Sequence, residues 1–373
     1  MSEIEQTLSA LNYIPADIQS AQDYEYLARR FIASPTYEYI AGGSGRDQTL
    51  ARNLAAFAKW AVCPRVLCDL THGHTRLNLL NREFAHPIFL APVAYQKMVH
   101  PLAELETARA AEAMQTCMVS STLATYSLED IANAANPEKW FQLYFQPTRA
   151  ATLDLVRRAE AAGYSTIVVT VDASIRTPSL GALRAQFKMP EDCVAVNVQH
   201  YELPQAKELA QGQSRIFNGA MQEAPTWVDL EWLISETKLS VIVKGILHPL
   251  DALKIKNIGC AGVIVSNHGG RSLDGAPASL DCLARVRAVV GDDFPVLFDS
   301  GIRSGLDIFK AIALGADAVL IGRLQIYALS VAGALGVAHL LKLLREELEF
   351  CMALAGCATL DDIRNTVLEL QPN

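Results

Sequence analysis

Eight apolar runs of strand length, each separated from the next by polar or helical sequence, constrain the fold more than any other feature of this chain. They are Ile88–Ala91, Thr116–Ser120, Trp140–Tyr144, Thr166–Val171, Val241–Lys244, Gly262–Val265, Pro295–Asp299 and Ala318–Ile321. Such near-continuous apolar runs suit parallel strands buried on both faces. Helical periodicity predicts helices over Leu102–Met114, Ala150–Ala162, Trp227–Glu236, Pro249–Asn257, Leu280–Val290 and Ser304–Leu314, with the last helices in 325–355. Eight strands alternating with helices over roughly 270 residues have the rhythm of a (β/α)8 TIM barrel. A doubly wound sheet binding a dinucleotide needs a Gly-rich turn after its first strand, and Ala91-Pro92-Val93-Ala94 is nothing like one.

Residues 1–60 read as helices, with an amphipathic stretch over Asp23–Ile32 and a short one over Thr36–Ala41, and 63–87 read as short strands and turns. The expected organisation is one domain over 1–373, with 1–86 as an N-terminal extension and 87–360 as the barrel. More than fifty residues, 172–226, separate the fourth strand from the next helix. A stretch that long leaving the open end of a barrel reads as a lid or substrate loop, against a surface insertion as the alternative.

The formal charge of −8 and the absence of a basic stripe argue against a nucleic-acid partner. The eight cysteines show no paired metal-ligand spacing, and several lie in apolar segments, so no metal is expected and a reducing, cytoplasmic location is. The first twenty residues are acidic and lack a signal core, and no run of about eighteen apolar residues is apparent, so no membrane association is expected.

Catalysis in this architecture sits at the C-terminal ends of the strands. Here those ends carry Pro92, Val93 and Ala94 after strand 1, Ser121 after strand 2, Gln142 and Tyr144 at strand 3, and Thr170 and Asp172 at strand 4. Lys244 ends strand 5. Strand 6 is followed by Ser266-Asn267-His268-Gly269-Gly270-Arg271: a neutral-capable base and a permanent cation three residues apart, with glycines that let the backbone turn sharply between them. A solvated polar loop is the plainer alternative. Strand 7 ends at Asp299-Ser300-Gly301-Ile302-Arg303 and strand 8 at Gly322-Arg323. Loops 7 and 8 are where such barrels commonly bind phosphate, and each brings a glycine for close approach and an arginine fork, though either arginine could simply form an ion pair. Lys244 needs an anionic partner, either a reduced flavin or Asp299, and the two can coexist. Asp172 could orient His268, cap a helix or pair with Arg176.

These residues resemble the FMN-dependent α-hydroxy acid oxidases and dehydrogenases, the family of glycolate oxidase, lactate oxidase, mandelate dehydrogenase and hydroxymandelate oxidase. The resemblance runs through nearly the whole chain. It is sharpest at Ser266–Arg271 continuing into Leu273-Asp274-Gly275-Ala276-Pro277, at Phe141-Gln142-Leu143-Tyr144, at Val243-Lys244-Gly245, at Gly301-Ile302-Arg303-Ser304-Gly305 and at Ala91–Lys97. It implies FMN as cofactor and oxidation of an (S)-2-hydroxy acid or a derivative to the 2-oxo product, with His268 as base, flavin N5 as hydride acceptor and O2 as the expected electron acceptor. It implies that Asp172 supports His268, that Arg271 holds the substrate carboxylate, and that Tyr144 and Tyr39 hydrogen-bond the hydroxyl and carboxylate. It places the flavin on the backbone of Pro92–Ala94 with its ring against Ser121, Gln142, Thr170 and Lys244. The ribityl and phosphate would then meet Ser266, Asp299, Ser300, Gly301, Ile302, Arg303, Gly322 and Arg323. It also implies a homo-oligomer, a tetramer or octamer.

Three departures from the family pattern stand out. A second carboxylate-binding arginine usually follows strand 4, and ungapped counting from Thr170 puts Ser179 there, with Arg176 and Arg184 a few residues off. Losing that arm should weaken a small carboxylate by about 1.5–3 kcal/mol, which points to a larger substrate or a masked carboxylate unless Arg176 takes its place. Leu123 stands where some members carry an aromatic, an apolar wall suited to a larger or aromatic substituent. Ser272 follows Arg271 where Gln is usual. The alternatives are an FMN-dependent isomerase on the same barrel and a pathway oxidase acting on a tailored or carrier-bound substrate.

Overall fold

The computed structural model describes residues 7–175, 177–202 and 209–371. Eight parallel strands close into a barrel: Ile88–Leu90, Cys117–Ser121, Glu138–Leu143, Thr166–Thr170, Ser240–Ile246, Gly262–Val265, Val296–Phe298 and Ala318–Ile321. Closure is made by strand 8 on strand 1, with Ile321 opposite Leu90. Strand residues such as Ile88, Ile167, Val263 and Leu297 are fully buried, which is why both faces of these strands read as apolar in the sequence.

The helices Trp227–Glu236 and Pro249–Asn257 lie where periodicity predicts them, and the others shift by a residue or so at their ends. Strand 7 starts one residue later than expected. Pro295 has no N–H for the ladder, although its carbonyl still accepts from Val263. Strand 5 runs on to Ile246 through a register shift at Gly245. The helix Leu128–Ala134 escaped the periodicity because it is short and buries only Leu128 and Ile131; its signal is the cap, Ser127 Oγ accepting from the Asp130 N–H.

The N-terminal part contains helices Asp23–Ala28, Ser34–Ala41 and Gln48–Ala56. The first ends earlier than expected, because the N–H groups of Arg30 and Phe31 bond i−3 carbonyls, those of Leu27 and Ala28. A hairpin pairs Leu77–Leu79 with Arg82–Phe84, and Trp60–Val62 pairs antiparallel with Leu368–Leu370 from the other end of the chain, a pairing local sequence could not reveal. Contrary to the expectation of no sufficiently apolar segment, helix Arg323–Ala355 is long and apolar enough to cross a bilayer by length and composition. Its apolar stretch is 78% buried inside the fold, and it breaks at Ala332–Gly333, so it serves as a core helix.

Two devices fasten the extension to the barrel's open end. The side-chain amides of Asn53 and Asn267 donate to each other's oxygens at 2.8 and 2.7 Å, and the Asn267 oxygen also accepts from the Gly270 N–H. The Asp274 carboxylate accepts from the N–H groups of Arg46 and Thr49, at the start of helix Gln48–Ala56. Asn267 and Asp274 thereby hold the loop after strand 6 against the helix that covers it.

Within 172–226 the described residues form a helix at Leu180–Arg184 and short helical turns at Arg215–Glu223. Phe187 from this segment stacks on the Tyr39 ring, with centroids 4.2 Å apart.

Candidate active site

The strand ends line one cleft enclosing about 1090 Å³, its open mouth included. Tyr39, Tyr144, Lys244, His268 and Arg271 face it, as do the backbone of Pro92–Ala94, the side chains of Ser121, Gln142 and Thr170, and the strand 7 and 8 ends from Asp299 to Arg303 and at Gly322–Arg323. Of the catalytic, substrate and cofactor contacts that the resemblance implies, Ser266 and Asp172 stand behind the lining, each bonded to a residue that forms it. Met98, from the loop after strand 1, also lines the cleft; nothing in the sequence marked it.

His268 sits in a left-handed conformation, φ +61°, at the head of a sharp turn that continues through Gly269 and Gly270. A Cβ on Gly269 would fall 2.6 Å from Arg323 Nη1, which donates to the Gly269 carbonyl, so a side chain there would displace that guanidinium and would be strained at φ +63°. Three clips hold the turn: the His268 N–H donates to Ser266 Oγ at 3.0 Å, the Gly269 N–H to Ser300 Oγ at 3.0 Å, and the Gly270 N–H to Asn267.

The His268 Nδ1 lies 2.8 Å from Asp172 Oδ1. Of the partners the sequence left open for Asp172, the structure shows this one; Arg176 lies outside the described residues. Burial alone would push the Asp172 carboxyl up. The His268 charge and hydrogen bond, helped by Lys244 and Ser272, outweigh burial and hold it below the usual carboxylate value. An ionised Asp172 keeps the imidazole proton on Nδ1 and leaves Nε2 as the basic nitrogen. Ser272, for which no role was expected, has its hydroxyl buried on the Asp172 side.

Lys244 is 4% exposed and lies 3.0 Å from Asp299 Oδ2 and from Ser266 Oγ. Burial works against the ammonium, but Asp299 and Asp172 outweigh it and raise its pKa above the ordinary lysine value. A fixed cation therefore faces the cleft beside the base.

Arg271 donates through Nη1 to the carbonyls of Tyr39 and Gly42 at 2.8 and 2.9 Å, and its guanidinium lies 4.9 Å over the Tyr39 ring. The last turn of helix Ser34–Ala41 also receives Arg323, whose donors reach Ile40, Gly42 and Gly269 carbonyls at 2.7–2.9 Å. Cations suit a helix C-terminus. Arg303 has the ion pair that was its alternative, with Glu25 at 3.0 Å. Arg323 pairs with no carboxylate among the described residues. Burial first, then the neighbouring charges of Arg271 and Arg303, push its pKa down to about 9, which still leaves a cation at neutral pH.

Two positions from the sequence analysis change meaning. Ser179 lies outside the cleft lining. It caps helix Leu180–Arg184, accepting from the Ala182 N–H at 3.3 Å, and pairs in a bridge with Gly45. Arg184 is exposed, and none of the described residues of 172–226 lines the cleft. Leu123 is half-buried and likewise outside the lining, so it forms no wall of the cleft.

The cleft's chemistry fits a flavin mononucleotide. Gln142 Nε2 and Thr170 Oγ1 are buried polar atoms with no protein partner, both on cleft-lining residues, as expected where a polar ring edge completes them. Lys244 offers a cation on the same side. Half-buried Arg323, with Arg303 and the open space at Gly322 in the same cleft, offers a dianion site. Arg323→Met should raise the FMN dissociation constant of the apoprotein about 10- to 100-fold in a fluorescence titration, the loss of one or two charge-assisted bonds. An unchanged constant would remove Arg323 from the phosphate site.

The chain matches the family described as FMN-dependent dehydrogenase over residues 28–370. It is 57% identical to an L-lactate oxidase of Alicycliphilus denitrificans over 97% of this chain and 99% of that protein. It is 40% identical to Glycolate oxidase 3 of Oryza sativa subsp. indica, covering 94% and 96%. It superposes on a mandelate oxidase structure with (S)-2-phenylpropionate at TM-score 0.86 and 40% identity, covering 95% of this chain and 99% of that one.

Proposed function

The chain belongs to the FMN-dependent dehydrogenase family, and from that premise we propose that it oxidises a small (S)-2-hydroxy acid, L-lactate first among candidates, to the 2-oxo acid, with O2 as the electron acceptor. The observation that carries the reading is the Asp172–His268 pair, at 2.8 Å, in one cleft with Arg271 and Lys244. FMN is the cofactor and, when bound, supplies the two-electron acceptor.

The protein's own residues supply the rest. Arg271, its guanidinium set by the Tyr39 and Gly42 carbonyls, takes the substrate carboxylate. Tyr39 and Tyr144 bind and orient the carboxylate and the hydroxyl. His268 Nε2 removes the hydroxyl proton, and Asp172 stabilises the imidazolium that results. Lys244 places a fixed positive charge where negative charge grows during the reaction, and because it is already held by Asp299 it needs no reorganisation at that moment. Phe187, stacked on Tyr39, brings the long segment after strand 4 to the rim of the cleft and supports the lid reading.

L-Lactate is favoured because the relative that shares 57% identity across almost its whole length is an L-lactate oxidase. An aromatic substituent is not favoured, since Leu123 is not among the residues that line the cleft. A free carboxylate is favoured over a masked one because Arg271 is in place and Ser179 has a structural use. Eight unpaired cysteines support a reducing, cytoplasmic setting. Exposed Leu67, Phe350 and Leu354 support self-association, a tetramer by family likeness.

Steady-state assays on glycolate, L-lactate, both mandelates and methyl lactate test this reading. The expected order puts L-lactate first, with methyl lactate lower in kcat/KM by about tenfold or more, the worth of a charge-assisted pair. An ester preferred to its free acid would overturn it.

A further inference from the structure

Ser300 occupies a conformation that disfavours a serine. Its φ is +91°, followed by Gly301 at +95°, a region glycine enters without strain and L side chains rarely do. The side chain that accepts this strain is 8% exposed, and its hydroxyl makes two bonds inside the protein. It accepts from the Gly269 N–H at 3.0 Å and donates to Asp299 Oδ1 at 2.8 Å. The other Asp299 oxygen holds Lys244, which also donates to Ser266 Oγ, and that oxygen accepts from the His268 N–H at 3.0 Å. Two consecutive amides of the His268 turn are thus tied to a single buried charge pair. Because His268 is itself left-handed, its placement has to be over-determined by its surroundings.

We propose that Ser300 is a positioning residue: its hydroxyl links the Lys244–Asp299 pair to the backbone of the His268 turn and so fixes the base relative to the cation that faces the same cleft. This rests on the reading of His268 as the base. Family resemblance puts Ser300 among the cofactor contacts. The structure turns its hydroxyl to protein partners, and the orphan donors left for the cofactor are those of Gln142 and Thr170. A serine at this positive φ forgoes the relief a glycine would bring, and what it has in exchange is the two bonds of its hydroxyl.

The test pairs Ser300→Gly with Ser300→Thr in the FMN-loaded enzyme. The glycine variant loses the hydroxyl and the strain; the threonine variant keeps the hydroxyl and adds a β-branch at positive φ. The two readouts should cross. Ser300→Gly should lower kcat about tenfold. Its KM and its apoprotein FMN dissociation constant should stay within about twofold, and its thermal midpoint should lie above that of Ser300→Ala. Ser300→Thr should melt earlier than wild type yet keep kcat within about threefold. Should the threonine variant fail to fold, Ser300→Ala takes its place: it should share the low kcat of the glycine variant and melt below it. Amide hydrogen exchange at Gly269 decides the link independently of turnover, and should be about tenfold faster in Ser300→Gly. Wild-type kcat with wild-type exchange in Ser300→Gly overturns the proposal, and so does a loss of FMN affinity with kcat intact, which would make Ser300 a cofactor contact. If the wild-type enzyme turns over no 2-hydroxy acid, the functional reading fails while the exchange rates still decide the hydroxyl link.

Discussion

His268→Ala should retain FMN and fold normally, and should slow anaerobic flavin reduction by 2-hydroxy acid by about three orders of magnitude. The size follows from the job: a positioned general base contributes roughly 10²–10⁴-fold, and here the base is set by an ionised carboxylate at 2.8 Å. Stopped-flow reduction at saturating substrate reads the chemical step alone. The side chain is not part of the hydrophobic core, and the turn that carries it stays clipped by Ser266, Ser300 and Asn267, so the loss should be confined to rate. A variant reduced at the wild-type rate would remove His268 from the mechanism. Asp172→Asn should follow the same trend with a smaller loss, since it leaves the imidazole present but wrongly oriented and unassisted.

Lys244→Met should damage two things at once. It leaves Asp299, 7% exposed, as a buried charge without its cation, a loss of about 3–5 kcal/mol. It also removes the positive charge expected to stabilise the reaction's developing negative charge, about 10²–10³-fold in rate by analogy with the removal of a preorganised electrostatic donor. The double variant Lys244→Met with Asp299→Asn separates the two effects. Denaturant midpoints should recover most of the stability because the unpaired charge is gone, while flavin reduction should stay slow because the cation is still missing. Recovery of both would reduce Lys244 to a structural ion pair, the alternative the sequence left open.

The barrel was legible because its strands are buried on both faces: Ile167, Val263 and Leu297 stand in runs with no polar interruption, and the helices between them carry a clear apolar stripe. The site was legible because the barrel delivers residues from distant segments to one end. Lys244, His268 and Arg323 are far apart in sequence and share a cleft. What sequence could not supply was side-chain direction. Ser179, counted into a clamp position, turned out to cap a helix, and Leu123 lies outside the cleft. Arg303 and Arg323 look alike in sequence, yet one has Glu25 and the other three backbone carbonyls. The pairing of Trp60–Val62 with Leu368–Leu370 joins the chain's two ends and has no local signature. The clips of the His268 turn were not legible: Asn267 had no expected role and Ser300 was expected at the cofactor, while the partners of both side chains lie on other elements.

The most direct test of the whole account is an anaerobic titration of the purified, FMN-loaded wild-type protein with L-lactate, followed by flavin absorbance. Full bleaching by L-lactate at a stoichiometric excess, no bleaching by D-lactate, and return of the oxidised spectrum on admitting O2 are the expected results. A fully loaded flavin that stays oxidised in the presence of L-lactate and every other 2-hydroxy acid would contradict it.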